Sequence, residues 1–224
     1  MKFIARNEWI IPTVFIVLTL LPIIGGMERL ISMAADAEIT TDNVRYLADP
    51  IPAIIHIVSF CIFCVLGAFQ FMPGFRRRRP TWHRYCGRIL VVNGLAAALS
   101  GLYLNQFYPP IEHDSFALYI IRVIVGIAMF LFICFGLLAI IQRRYKNHQN
   151  WMVRAYALGM GNGLVPFLAV VTILFQPDNK ELAKVLVLAG GWVINMIIAE
   201  WIIYALNKKP LATANITKLS IQAA

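Results

Sequence analysis

The amino-acid sequence predicts an all-α, polytopic membrane protein with six transmembrane helices, the second to fifth of which form a central four-helix bundle. Three observations carry this expectation. Of 224 residues, 60% are hydrophobic and only 14% charged, with a mean hydropathy of +0.72, far from the mixed composition of a soluble domain. The apolar residues fall into six runs long enough to cross roughly 30 Å of hydrocarbon at about 1.5 Å per residue. The charges between those runs alternate in sign from one loop to the next.

The first run, Trp9 to Met27, follows Lys2 and Arg6 and precedes the small-residue stretch Met33 to Ala37, as a signal peptide would. Its apolar stretch exceeds the roughly 7–15 residues of a signal core, so a retained first helix is expected. The remaining runs are Ile51 to Met72, Ile89 to Tyr108, Phe116 to Ile141, Ala155 to Phe175 and Leu182 to Leu206. Little chain is left for a soluble domain, so residues 1–224 read as one integral membrane domain. Its core is 50–175, with the first helix (9–27) and the sixth (182–206) peripheral. The tail 210–224 is short and polar and is expected to be a flexible cytoplasmic segment.

Cytoplasmic loops are rich in Lys and Arg. With the N-terminus inside, the inner segments hold Lys2, Arg6, Arg76 to Arg79, Arg84, Arg88, Arg143, Arg144, Lys146, Arg154, Lys208, Lys209 and Lys218, fifteen of the twenty basic residues. The outer segments hold nine of the eleven acids, among them Asp49, Glu112, Asp114, Asp178 and Glu181. Both termini are therefore expected inside, in a plasma (inner) membrane. The run Arg76 to Arg79 then faces anionic lipid head groups, and the net charge of +9 requires no nucleic-acid partner. Protein partners cannot be read from the chain. Cys61 and Cys64 form a CxxC spacing inside an apolar run, where they read as small hydrophobes rather than a zinc site.

Only four histidines are present, and they alternate between the two ends of the predicted bundle. His56 lies about one and a half turns into the second span from its outer end, and His113 sits at the outer mouth of the fourth. His83 and His148 open the third and fifth spans on the inner side. A b-type haem between two helices takes one neutral imidazole from each side of its plane, so His56 with His113 and His83 with His148 are the candidate iron-ligand pairs. In this arrangement the chain looks like the two-haem, six-helix transmembrane cytochromes b, which pair helix 2 with 4 and helix 3 with 5. The competing reading makes His83, His113 and His148 surface or capping residues. His56, below the interface, needs a polar partner.

Arg122 lies about two turns into the fourth span, at a depth close to that of His56. The two are expected to share one polar site in the outer half of the bundle; Gln106, Tyr103 or a bound anionic group are other candidate partners, and snorkelling outward to Glu112 or Asp114 is the alternative. Depth excludes Glu200. At the inner end a pattern recurs: His83 with Arg88 five residues on, and His148 with Arg154 six residues on, each opening a helix after a basic loop. His83, Arg88, His148 and Arg154 are expected to converge there with Trp151, although Trp82 and Trp151 also suit an aromatic belt at the interface.

The stretches His56 to Leu90 (HIVSFCIFCVLGAFQFMPGFRRRRPTWHRYCGRIL) and His148 to Leu158 (HQNWMVRAYAL) resemble a bacterial family of predicted multi-pass membrane proteins of unknown function. The resemblance covers the four central helices, roughly Pro50 to Phe175. It implies that His56, Gln70, Phe71, His83, Arg84, Gly87, Arg88, His148, Trp151, Met152, Arg154 and Tyr156 fall on motif positions, and that His113 lies off them. It implies a fold but no reaction.

Two functional readings follow. In the first, the inner His and Arg cluster binds an anionic group or lipid head group, in a small transporter or accessory subunit, because arginine binds phosphate bidentately. In the alternative, His pairs on spans 2/4 and 3/5 hold haem b in a transmembrane electron-transfer protein. An enzymatic role is left open: the chain has no GxSxG, HExxH or phosphate-binding GK[ST] signature. Gly159 to Gly163 (GMGNG) reads as a close-packing site.

Overall fold

The computed structural model describes residues 9–35, 39–40, 43–175 and 178–208. Among them lie nine helices and no strand: α1 (Ile10–Ala34), α2 (Val44–Ala48), α3 (Pro50–Gln70), α4 (Pro73–Arg78), α5 (Pro80–Phe107), α6 (Phe116–Ile141), α7 (Tyr145–Gly159), α8 (Gly161–Phe175) and α9 (Lys180–Asn207). Five of them, α1, α3, α5, α6 and α9, are long and apolar enough to cross a membrane. The pair α7 and α8, bent by 42° at its junction, passes the same test taken together and brings the number to six. The protein is thus all-helical and polytopic, as its composition predicts. The expected tail, 210–224, lies outside the described residues.

Local chemistry sets the starts of these helices. Proline stands at the opening of α3, α4 and α5, where its missing N–H and fixed φ cost nothing. Ser115 caps α6 by accepting from the Leu118 N–H (3.3 Å), and Asn179 caps α9 by accepting from Leu182 (2.9 Å). The fourth run forms α6 end for end. The third was expected to begin at Ile89, but α5 begins at Pro80 and makes the whole HRYCGR stretch helical. Arginine lowers hydropathy but is a good helix former, so the helix outlasts the apolar run.

The fifth span also departs from expectation. Rather than one helix over 155–175, it begins at Tyr145 and breaks at Met160. Pro166 cannot donate to the Asn162 carbonyl, which weakens the ladder where α8 starts. The adjoining glycines admit backbone: a Cβ on Gly191 would stand 2.5 Å from the Gly161 carbonyl oxygen, and one on Gly163 2.9 Å from that of Leu18.

Helices α3, α5, α6 and α7 form a ring in which each packs on the next and α7 returns to α3, giving the expected central bundle. Helix α1 leans on α3 and α8, while α9 leans on α8, α7 and α6. The bundle core contains Phe63, Cys64, Leu90, Met129, Ile133 and Tyr156. Tyr156 is ringed by Phe15, Phe63 and Phe71, with centroids 4.9–5.7 Å away. Its hydroxyl donates to the Cys64 carbonyl at 2.8 Å, so the buried phenol is satisfied. Cys64 is itself a core residue, packed as a small hydrophobe.

Candidate functional site

The loops and helix ends sort into a basic end, carrying Arg76–Arg79, Arg143 and Arg144, and an acidic end, carrying Asp49, Glu112, Asp114 and Asp178. His56 lies toward the acidic end of α3. Its Nδ1 donates to the Ala97 carbonyl on α5 at 2.9 Å, with Ser100 Oγ at 3.3 Å, and the ring stacks on Phe60. Because a carbonyl only accepts, Nδ1 carries the proton and Nε2 keeps the lone pair. The ring occupies a notch at Gly101, where a Cβ would stand 3.0 Å from Cε1.

Arg122 does not share that site. It makes a two-pronged pair with Asp114, Nη1 to Oδ2 at 2.9 Å and Nη2 to Oδ1 at 3.2 Å. Lys184 of α9 joins the same carboxylate at 2.8 Å and donates to the Glu112 carbonyl at 2.8 Å. The cap at Ser115 ends the preceding loop beside the helix, so Asp114 stands within reach of a guanidinium two turns in. The shared His56 and Arg122 site expected from depth is therefore replaced by two separate ones. The other candidate partners are engaged elsewhere: Gln106 accepts from the Tyr119 hydroxyl at 2.5 Å, and the Tyr103 hydroxyl donates to Asp49 at 3.3 Å.

At the basic end, the expected convergence of His83, Arg88, His148 and Arg154 is only half present. Arg88 is exposed and lies over its own neighbour Tyr85, 5.5 Å from the ring centroid. Arg154 turns to α9 and pairs with Glu200 through Nε and Nη2, the latter at 2.9 Å. It also covers the Trp151 ring at 4.9 Å. Trp151 in turn packs on Phe132 and Phe135 in the α6–α7 contact. The physical reason is that α7 leans on α9, which offers a carboxylate at the level of Arg154. Sequence reasoning excluded Glu200 for Arg122 and did not find it for Arg154.

The histidines at this end remain together. His148 donates from Nδ1 to the Gly136 carbonyl at 2.8 Å, which fixes its ring against α6. His83 sits in the first turn of α5, within electrostatic reach of Arg76 and His148. Its Nδ1 is buried and has no hydrogen-bond partner, and the same holds for the amide nitrogen of Gln70, the last residue of α3. The antiparallel register that seats His56 on Ala97 and brings Phe63 against Gly94 places Gln70 level with the first two turns of α5. Gln70 is thus a candidate that the motif contained and chemical reasoning passed over; the signal was a lone amide ending an apolar run.

These residues do not fit haem b. His113 lies in the loop before α6 with φ at 62°, and its Nε2 faces the Glu112 carboxylate at 3.2 Å, whereas His56 is seated on α5. The space between the helices is filled by protein. Phe63 and Ile133 cover Gly94, Tyr156 covers Gly67, and Met152 covers Gly136. A macrocycle held by His83 and His148 would extend from the first turns of α5 and α7 into the volume of Tyr156 and Met152. A cleft of about 700 Å³ between α8 and α9 at the acidic end is lined by Thr172, Lys180, Lys184 and Val187 and by no histidine.

The family model described as a predicted membrane protein (DUF2306) matches residues 53–203. The chain belongs to this family. The DUF2306 match extends past the four central helices into α9, so the helix that supplies Glu200 to Arg154 and Lys184 to Asp114 is part of the family fold. No curated protein and no solved structure matches the chain.

Proposed function

We propose that this DUF2306 protein is a plasma-membrane protein, both termini cytoplasmic, that holds an anionic lipid head group at its basic end as a small transporter or accessory subunit. One observation carries the reading: two buried polar atoms, Gln70 Nε2 and His83 Nδ1, end the core at this end without a protein partner. A buried donor left unmet costs about 1–3 kcal/mol, and an oxygen-bearing group from the basic surface would satisfy both. Arg76 bears on His83, and Arg77 to Arg79 stand exposed alongside, so the approach to these donors is electropositive. Arg88 and Arg154, expected members of the site, are not needed in it.

The test is the thermal midpoint of protein purified in a neutral detergent, titrated with a short-chain phosphatidylglycerol or a phosphatidylcholine of equal length. The anionic lipid should stabilise the protein by several degrees more. The difference should shrink in Gln70→Ala and His83→Ala and persist in full in Arg88→Gln and Arg154→Gln. Equal stabilisation by both lipids overturns the reading. So does a reduced-minus-oxidised spectrum with Soret and α bands that disappear in His83→Ala or His148→Ala, since that would place haem where the head group is proposed.

A further inference from the structure

Two arginines at the acidic end lie on an aromatic ring without the carboxylate partner that Arg122 and Arg154 each have. Arg122 takes Asp114 and Arg154 takes Glu200. Arg29, three-quarters of the way along α1, and Arg45, in α2, instead lie on one aromatic ring: their guanidinium carbons stand 5.1 and 4.6 Å from the centroid of Tyr46. Among the described residues no carboxylate pairs with either. Arg45 donates from Nη2 to the Tyr46 hydroxyl at 2.5 Å and from Nη1 to the Pro109 carbonyl at 3.4 Å, which leaves its Nε buried with no acceptor. Asp49, four residues after Arg45, is turned away: its side chain accepts from Tyr103, and its backbone carbonyl accepts from Tyr108.

A ring face attracts one cation readily. Two guanidinium groups on the same ring repel each other unless an anion lies between or beside them. The frame that holds them is rigid: Tyr46 is buried and stacks edge-on against Tyr108, centroid to centroid 5.8 Å, and Tyr108 is tied to the start of α3. Arg29 is also within electrostatic reach of His56, so the positive region extends toward the polar notch on α5.

We infer that Arg29, Arg45 and the Tyr46 ring form a binding site for a phosphate oxyanion at the end of the molecule opposite the proposed head-group site. A carboxylate offers its acceptors in one plane. Two guanidinium groups brought to one ring from separate helices, 5.1 and 4.6 Å from its centroid, offer donors from different directions, which suits a tetrahedral oxyanion that can take a bidentate contact from each. The same chemistry is presented by free phosphate and by the phosphodiester of a lipid at the membrane surface.

The test uses the full-length protein. In neutral detergent, inorganic phosphate is titrated calorimetrically; in nanodiscs of phosphatidylcholine with or without phosphatidylglycerol, the thermal midpoint is measured. Binding of phosphate in detergent, or stabilisation by phosphatidylglycerol alone, supports the site and assigns it to a soluble or a lipid source respectively. In either arm Arg29→Gln and Arg45→Lys should weaken the effect at least tenfold. Arg29 is exposed, so Arg29→Gln tests the site even where an Arg45 variant folds poorly. His83→Ala and Gln70→Ala should leave the phosphate titration unchanged, and the lipid arm is read in the His83→Ala protein, which separates this site from the basic end. Absence of both effects in the wild-type protein, or wild-type affinity in Arg29→Gln and Arg45→Lys, overturns the inference.

Discussion

Burial alone would raise the Asp114 carboxyl, because desolvation disfavours its charged form. The hydrogen bonds and charges of Arg122 and Lys184 more than reverse this and hold it below the ordinary aspartate range. A depressed folded-state pKa contributes stability that is complete above the unfolded value and is lost as the pH falls through the folded one. The thermal midpoint in detergent should therefore fall on acidification below about pH 4. Asp114→Asn should cost about 3 kcal/mol at neutral pH, since it leaves Arg122 and Lys184 without their shared anion, and should lack the acid-dependent component. An Asp114→Asn protein with the wild-type midpoint would show that the clamp contributes nothing. The Arg122 side of this clamp was legible, because Asp114 was already an alternative partner by reach along the chain. Lys184 was not, being set seventy residues from Asp114 and joined to it only by the packing of α9 on α6.

Among the helices, contact is closest where a glycine of one admits a side chain of another. A Cβ on Gly94 would stand 2.7 Å from Ile133 Cδ1 and 2.8 Å from Phe63 Cε2, whereas one on Gly87, about two turns earlier in the same helix, would meet nothing within 4 Å. Gly94→Ala should destabilise the bundle by about 1–3 kcal/mol through overpacking, against a helix-propensity gain of about 1 kcal/mol. Gly87→Ala should be neutral or stabilising by up to about 1 kcal/mol. Chemical denaturation of the two variants in mixed micelles measures both. If Gly87→Ala keeps its stability and loses anionic-lipid binding, this motif position serves the site and not the packing. Hydropathy made α6 legible to the residue and misplaced the start of α5, where Arg84 and Arg88 lower the apolar signal without interrupting the helix. The break at Met160 was hidden for the opposite reason: the run is apolar on both sides, and the weakening at Pro166 becomes a bend only where Gly161 approaches Gly191 and Gly163 approaches Leu18.

At the scale of the whole molecule, the sort of charges between loops predicts which end faces the cytoplasm. In a variant lacking Cys61, Cys64, Cys86 and Cys134, a single cysteine at Arg78 should react with a membrane-impermeant reagent only after the cells are opened. One at Asp178 should react in intact cells, and the reverse pattern would invert the molecule. The expected convergence of four side chains at the basic end was legible only in part. Hydropathy sets the depth of each residue but not its direction around its helix, so His83 lies within electrostatic reach of His148 while Arg88 and Arg154 face Tyr85 and Glu200. The divided crossing has a mechanical consequence. Helix α7 belongs to the four-helix ring, while α8 rests mainly on α9 and α1, which lie outside it, and presents Phe167, Val170, Ile173 and Phe175 outward. A rigid straight crossing meets a thinner bilayer by tilting with everything attached to it. Here the 42° angle between α7 and α8 can change instead. A change in bilayer thickness would then be met by α8 turning about Met160, while α1 and α9 stay tied to the ring through α3, Glu200–Arg154 and Lys184–Asp114.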